Sequence, residues 1–447
     1  MTTPRERSIE ELYRDDPERA DALTFGRRTG PNRRGFLEGA GLAAMGAAVG
    51  GTIPFAANMP AGLVPAAMAQ GAQPAAQPQG PRRLEFPGKD GGLILLQERP
   101  LVAETPEHLL DDETTPLAKF FIRNNGQIPD EVQNRDAWKL RIDGEVNTPL
   151  ELTLAEIKSR FRAKTFHMQM ECGGNGRSFF QPPASGNQWG NGAIGVAAWT
   201  GVSLGDVLRA AGLKPSAVYT ANYGADPHLS GDAQRQSISR GVPMAKAMEE
   251  HTLLVWAMNG QDLAHIHGAP LRLITPGWPG SASHKWVNRI WIRDREHDGP
   301  GMTGTQYRVP IAPMVPGSRA VDANMRVLES MPLRSVISNP ANGTRLPAGT
   351  RAIALRGAAW AGEKTVRAMH VSVDFGQSWV EARLGAPRNK YDWQRWTATV
   401  RVPSDGYYEL WSRGTDSDGI MQPHAPANWN PQGYGANPFH RIAVLIG

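Results

Sequence analysis

The chain has one cysteine, Cys172, in 447 residues. A single thiol excludes an intramolecular disulfide, a Cys-x-x-Cys-His haem attachment and any all-cysteine iron–sulfur cluster. No block of Lys or Arg marks a nucleic-acid surface. The net charge of +5 is mild and steers weakly toward anionic ligands or an acidic partner. A long apolar run is also missing. The nearest approach, Gly39 to Met59, is rich in Gly and Ala, and Pro54 and Pro60 break it. That is poor material for the ~20 residues of a spanning helix, so stable membrane insertion is not expected.

What is present is ordinary for a globular chain: 40% apolar and 20% charged residues. The length suggests about two to three domains. Forty-nine Gly and 36 Pro favour loops and strands over long helices, and 13 Trp is unusually many.

Residues 1–31 are charged and polar. Asn32-Arg33-Arg34-Gly35-Phe36-Leu37 then leads into the mildly apolar run, and Ala67-Met68-Ala69 fits a small-residue cleavage site. This pattern predicts a twin-arginine signal peptide over 1–69, hence export to a bacterial periplasm. That route carries folded proteins, often with cofactors already inserted. A low-complexity Gln/Ala/Pro stretch begins a linker expected over 70–92.

From 93 to 332 the pattern is mixed α+β. Strands are expected over Trp138–Ile142, Val218–Tyr223, Leu253–Met258, Leu271–Thr275 and Lys285–Arg293. Helices are expected over Thr153–Phe161, opened by a Thr cap, over Gly201–Ala211 and over Met244–Glu250. From about 333 helical periodicity disappears. Alternating segments at 351–355, 366–373, 396–402, 407–414 and 439–446 are separated by turn signals such as Asn342-Gly343 and Ser404-Asp405-Gly406. They suggest an immunoglobulin-like β-sandwich over 333–447.

The stretch Thr165-Phe-His-Met-Gln-Met-Glu-Cys-Gly-Gly-Asn-Gly-Arg177 holds the lone cysteine. Phe166, Met168 and Met170 alternate with His167, Gln169 and Glu171, which reads as a strand. Three glycines then allow a sharp turn and close approach. Two readings stand for Cys172: a buried structural thiol, or a site. Arg123, Arg177, His267, Arg272, Lys285 and Tyr307 also sit at strand ends and could converge on it. Cations, a thiolate and a phenol suit an anionic cofactor with an anionic substrate.

Taken together, Phe121-Ile-Arg-Asn-Asn125, Glu171-Cys-Gly-Gly-Asn-Gly-Arg177, His267-Gly-Ala-Pro-Leu-Arg272, Pro276-Gly-Trp-Pro-Gly280, Ser283-His-Lys-Trp286 and Gln306-Tyr307-Arg308 resemble the sulfite oxidase family of molybdenum enzymes. The second half adds Gly357-Ala-Ala-Trp360, Val371-Ser-Val-Asp374, Gln422-Pro423, Asn428-Trp-Asn430 and His440-Arg441. The resemblance covers roughly 95–447. It implies a molybdopterin-binding domain followed by a dimerisation domain, and a homodimer. It also implies a molybdenum–molybdopterin cofactor with no haem in this chain, and the two-electron oxidation of sulfite to sulfate.

By resemblance, Cys172 ligates the metal, Arg123 holds the substrate oxyanion, Arg177 orders the glycine turn and adds positive potential for substrate binding, and Tyr307, also substrate-binding, stands near the reacting centre. Arg123, Cys172 and Tyr307 form the expected catalytic set. Phe121, Ile122, Arg123, Asn124, Asn125, Asp226, His267, Arg272, Ser283, His284 and Lys285 are expected to wrap the pterin and its phosphate. Many relatives carry His where Asn125 stands and Arg where Gly176 stands. Without its own haem the chain would need an external electron acceptor, such as a c-type cytochrome. Gly-Asn-Gln-Trp at 186–189 and Gly277-Trp-Pro-Gly280 resemble the bacterial periplasmic sulfite dehydrogenases. The competing readings are a sulfane dehydrogenase subunit of thiosulfate oxidation, a periplasmic molybdenum reductase, and a non-enzymatic β-sandwich binding module.

Overall fold

The alternation before Cys172 becomes a strand, Lys164–Glu171, but one buried on both faces from Met168 onward. The reason lies in the C-terminal half of the chain. Gln169 donates from its amide Nδ-equivalent, Nε2, to the Gly362 carbonyl (3.0 Å) and its backbone N–H donates to the Tyr391 carbonyl (2.8 Å). A computed structural model describes residues 80–447, with Asp16 and Arg19 in addition. The signal peptide expected over 1–69 and the first part of the linker lie outside the described residues.

Residues 80–447 form a single compact unit. The linker expected as far as 92 is packed chain from Leu84, which is buried; Arg83 bridges Ile94 and Leu93 is fully buried. Those two leucines give the segment an apolar anchor that composition alone concealed.

The first half carries two main sheets. One runs in the order Gln261–Asp262, Leu253–Met258, Ile194–Ser203, Lys164–Glu171, with Arg272–Ile274 also paired to Leu253–Met258. The other runs Leu150–Thr153, Lys139–Gly144, Val287–Arg293, Tyr219–Gly224. The helix Leu154–Arg160 starts at a capping box: Thr153 Oγ1 accepts from the Glu156 N–H (3.2 Å) and Glu156 Oε2 accepts from the Thr153 N–H (2.8 Å). The expected helix over 201–211 begins only at Leu204. Gly201, Val202 and Ser203 extend a strand instead, paired with Val255, Leu254 and Leu253. A Cβ at Gly201 would lie 2.0 Å from the Leu254 carbonyl oxygen, so the close strand pairing needs glycine there.

The second half is an eight-stranded arrangement in the order 334–339, 352–360, 394–401, 380–384, 366–372, 406–416, 440–446, 344–346. The strand Val380–Leu384 pairs on both sides and joins the two layers into one curled sheet around a core of Leu355, Met369, Trp396, Leu410 and Val444. This is the mixed α+β domain followed by the β-sandwich that the sequence pattern predicts. Among the described residues no helix is long and apolar enough to cross a membrane.

Candidate active site

Cys172 lies where its strand ends, and its backbone fixes the turn that follows. Its N–H donates to the Ala193 carbonyl (2.9 Å) and its carbonyl accepts from the Asn175 N–H (2.9 Å). Asn175 Nδ2 donates to Glu171 Oε1 (2.8 Å), and Trp360 Nε1 donates to Glu171 Oε2 (2.8 Å). Arg334 Nε stands 3.3 Å from Glu171 Oε1, an ion pair rather than an aligned hydrogen bond. Arg334 also donates to the Asn175 carbonyl (2.9 Å) and to Asn191 Oδ1 (2.7 Å). Gly176 has φ +82°, and a Cβ there would sit 2.5 Å from an Arg334 nitrogen. The arginine of many relatives therefore has no room at 176, because Arg334 fills that space.

One cavity brings together Phe121, Arg123, Asn124, Asn125, Cys172, Asp226, His267, Arg272, Ser283, His284, Lys285 and Tyr307. Two expected members are elsewhere. Ile122 points the other way, into a cluster with Leu84, Leu93, Ala103 and Ile266, because neighbours on a strand face opposite sides. Arg177 does not line the cavity. Its Nε donates to the Gln432 carbonyl (2.7 Å), its NH1 to the Asn187 carbonyl (2.9 Å), and its guanidinium lies 5.1 Å from the Tyr434 ring centroid. Only its expected substrate-binding part is corrected accordingly; its contacts are those of a residue that orders the turn, as the resemblance implies, and the C-terminal loop as well.

At one end of the cavity, cations crowd together. Lys89 Nζ donates to His267 Nε2 (2.7 Å) and to the carbonyls of Leu117 and Phe120. Lys285 Nζ donates to Asn124 Oδ1 (2.6 Å) and the Ile266 carbonyl (2.7 Å). Arg272 donates to the His267 carbonyl (2.9 Å), and its Nε, fully buried, has no partner among the described residues. Burial lowers Lys89 to about 7 and Arg272 to about 9. Lys285 and His267 are pushed well down by burial first, and then by the neighbouring cations. Asp226 is raised to about 6 by burial, with Lys285 opposing. His284 is lowered to about 3 by burial, and its Nε2 accepts from the Arg240 N–H (3.1 Å), so the neutral ring carries its proton on Nδ1.

At the other end stand Cys172, Arg123 and Tyr307. The Tyr307 hydroxyl donates to Asn125 Oδ1 (3.0 Å), and Tyr307 has φ +50°, a strained backbone for a bulky residue. Arg123 NH1 is buried with no partner among the described residues. Lys89, Arg240 and Tyr434 were not singled out from the sequence. Gly433-Tyr434-Gly435, with both glycines at positive φ, was the one signal available for the last.

Buried N–H groups left open, together with three cations that share, among the described residues, the single nearby carboxylate of Asp226, fit an anionic group. A phosphate-bearing pterin meets that demand at the Lys89–Arg272–Lys285 end. The Cys172 thiolate supplies a soft donor for a high-valent metal at the other. Among the described residues no group of three His, Cys, Asp or Glu side chains is placed to hold a metal ion, so a metal at Cys172 would need ligands beyond these side chains, which a bound cofactor would supply.

Residues 125–301 match the oxidoreductase molybdopterin binding domain, and 325–446 match the Mo-co oxidoreductase dimerisation domain. Chicken (Gallus gallus) sulfite oxidase is 30% identical over 366 residues, 79% of this chain and 78% of that protein. The mitochondrial sulfite oxidase of Drosophila melanogaster is 32% identical over 78% of this chain and 62% of its own length. Among solved structures, the sulfane dehydrogenase SoxCD from Paracoccus pantotrophus superposes with a TM-score of 0.66 at 27% identity, covering 85% of this chain and 96% of that one. The cavity's cations fit an anionic cofactor, its thiol suits a high-valent metal, and both halves of the chain match in order: the chain belongs to the sulfite oxidase family of molybdopterin-dependent oxidoreductases.

Proposed function

We propose that the chain is a periplasmic sulfite dehydrogenase, exported by the twin-arginine route, that passes electrons to an external acceptor such as a c-type cytochrome. Sulfite and water give sulfate, two protons and two electrons. A molybdenum cofactor held here would supply the two-electron redox change, with the external acceptor taking the electrons. The observation that carries the reading is the meeting of Cys172, Arg123 and Tyr307 in one cavity with the cation cluster.

The protein's own part is binding, orientation and electrostatics. Lys89, Arg272 and Lys285 hold the cofactor's anionic end, and neutral His267 and His284 add hydrogen bonds without adding charge. Arg123, half-buried and with an open N–H, offers a planar fork to a sulfite oxygen pair. The Tyr307 hydroxyl, now resting on Asn125, is free to turn to a substrate oxygen. Buried aromatic walls, Phe120, Phe121 and Trp189, restrict water on the thiol's side.

The test is metal analysis of periplasmic protein together with sulfite-dependent reduction of cytochrome c. A molybdenum-loaded preparation that leaves free sulfite untouched would overturn the reading. It would favour instead a sulfane dehydrogenase subunit acting on sulfur carried by a partner protein, a second reading supported by the extent of the SoxCD superposition. The match of 325–446 to a dimerisation domain supports a homodimer, which light scattering at low micromolar concentration tests.

A further inference from the structure

Two arginines and two tyrosines form a continuous stack beside the cavity. The rings of Tyr307 and Tyr434 lie 5.0 Å apart and nearly parallel, at 23°. The Arg240 guanidinium carbon is 4.9 Å from the Tyr307 centroid, and that of Arg177 is 5.1 Å from the Tyr434 centroid. Tyr434 covers one face of Tyr307, which leaves the other to Arg240.

Arg240 is an expensive residue to place there. It is fully buried, and among the described residues no carboxylate lies within ion-pair distance. One nitrogen, NH1, donates to Ser281 Oγ (2.7 Å), on the cavity wall; Nε and NH2 have no partner. Its compensation comes from aromatic faces. A buried charge kept against its own cost is the kind of local conflict that functional sites carry.

The other end of the stack is anchored as firmly. Tyr434 sits between Gly433 and Gly435, both at positive φ, in a loop pinned from three directions. Gly435 N–H donates to the Gly173 carbonyl (3.0 Å), Arg177 donates to the Gln432 carbonyl (2.7 Å), and Asn430 Nδ2 donates to the Arg308 carbonyl (3.1 Å). The loop belongs to the C-terminal half, yet it braces the turn after Cys172 and the residue after Tyr307.

We propose that Arg240 and Tyr434 are positioning residues for Tyr307. The stack fixes the ring in its strained backbone setting, and the cation behind it polarises the phenol, so that only the O–H bond has to rotate from Asn125 to the substrate oxyanion. The proposal rests on the reading of Tyr307 as a substrate-facing donor. It also gives a physical role to two arginines that the cavity itself does not expose.

A double-mutant cycle on molybdenum-replete holoenzyme tests it: Arg240→Met, Tyr307→Phe and the pair, with kcat and KM for sulfite measured at known metal and pterin content. Arg240→Met is expected to lower kcat/KM about tenfold when Tyr307 is present, the scale of a desolvated cation–π contact. In the Tyr307→Phe background the further fall should stay below about twofold. Arg240→Lys should recover part of the loss, and it takes the place of Arg240→Met in the cycle if the latter does not load metal. Equal falls in both backgrounds would overturn the proposal, because Arg240 would then act independently of the phenol. If Tyr307→Phe itself turns over sulfite normally, the reading of Tyr307 fails, and the stack's role with it. A readout independent of turnover is the near-ultraviolet dichroism of the stacked tyrosines, expected to weaken both in Arg240→Met and in Tyr434→Leu. An unaltered signal in Arg240→Met beside the expected weakening in Tyr434→Leu would show that the cation does not hold the pair.

Discussion

Around His267 the cavity wall consists of cations in mutual conflict. Arg272, buried, and Lys285, half-buried, line it, half-buried Lys89 stands behind His267, and each is held below its ordinary value by desolvation first. Around Cys172 the rings and amides on and behind the wall already have partners, Tyr307 on Asn125, Asn175 on Glu171 and Tyr434 on Tyr307, and among the described residues Arg123 NH1 is left open for a ligand. The first end is unsatisfied until an anion arrives, so its free energy goes into holding the cofactor. The second end is preorganised before anything binds, which is what a reacting centre needs, since no reorganisation is then required at the moment of reaction. The two ends of one cavity should therefore respond differently to substitution, one through loading and the other through turnover.

The largest effect is expected at the thiol. Cys172→Ser should keep the fold and the pterin yet lose nearly all sulfite turnover, because a hydroxyl is a harder and poorer donor than a thiolate. Substantial steady-state activity at measured metal content would remove Cys172 from the reacting end. Next comes Arg123→Gln. Charge-assisted hydrogen bonds contribute about 1.5–3 kcal/mol each, so KM for sulfite should rise on the order of tenfold to over a hundredfold. Turnover should fall less, and sulfate inhibition should weaken in parallel. An unchanged KM would mean that another group holds the anion.

Arg272→Met and Lys285→Met probe the opposite end. They should weaken cofactor retention on the order of tenfold or more, read as pterin and molybdenum lost on dialysis. KM for sulfite in the loaded fraction should move much less than in Arg123→Gln, and a KM change as large as in that variant would erase the distinction between the ends.

The smallest effect concerns protons. The unfolded chain keeps the Lys89 proton up to about 10.5, whereas the folded, anion-free protein keeps it only to about 7. Between those values the unfolded state binds more protons, so stability of the anion-free protein rises with pH across that window. An anion at this end restores the charge. Calorimetric titration with sulfate near about pH 8, in buffers of different ionisation enthalpy, should show uptake of up to about one proton. Zero uptake would mean that Lys89 stays charged without the anion.

Much of this contrast was legible in the sequence because its motifs place chemistry at strand ends, and strand ends converge in these sheets. Cys172, Arg123, His267, Arg272, Lys285 and Tyr307 line one cavity for that reason, whereas Phe121, Asn124, Asn125, Asp226, Ser283 and His284, which line it too, were reached only through the family resemblance. What escaped was set by contacts distant in sequence. Ile122 and Arg123 are neighbours, and only the pairing of Arg123 with Val102 decides which of them faces the cavity. Arg177 follows three glycines and a cysteine, so it resembles a site residue, yet the loop around Gln432 captures it. Lys89 lies in a stretch whose Pro/Gln/Ala beginning reads as linker, and nothing local announces that it reaches His267. The even alternation of Phe166 to Glu171 suggests one wet face, but the sandwich covers the far half of that face.

The ion pair between Glu171 and Arg334 has a consequence for heredity. Glu171 precedes the cysteine that the catalytic half contributes, while Arg334 and Trp360, which neutralise and cap it, come from the other half. Stripping one partner from a buried pair costs about 3–5 kcal/mol, a large share of the 5–15 kcal/mol by which a folded domain typically survives. A recombination event that joined this catalytic half to a sandwich lacking those two residues would leave a buried acid unanswered beside the thiol. The seam between the halves is therefore a poor place for shuffling, and the two segments are expected to pass through evolution as a single inherited cassette.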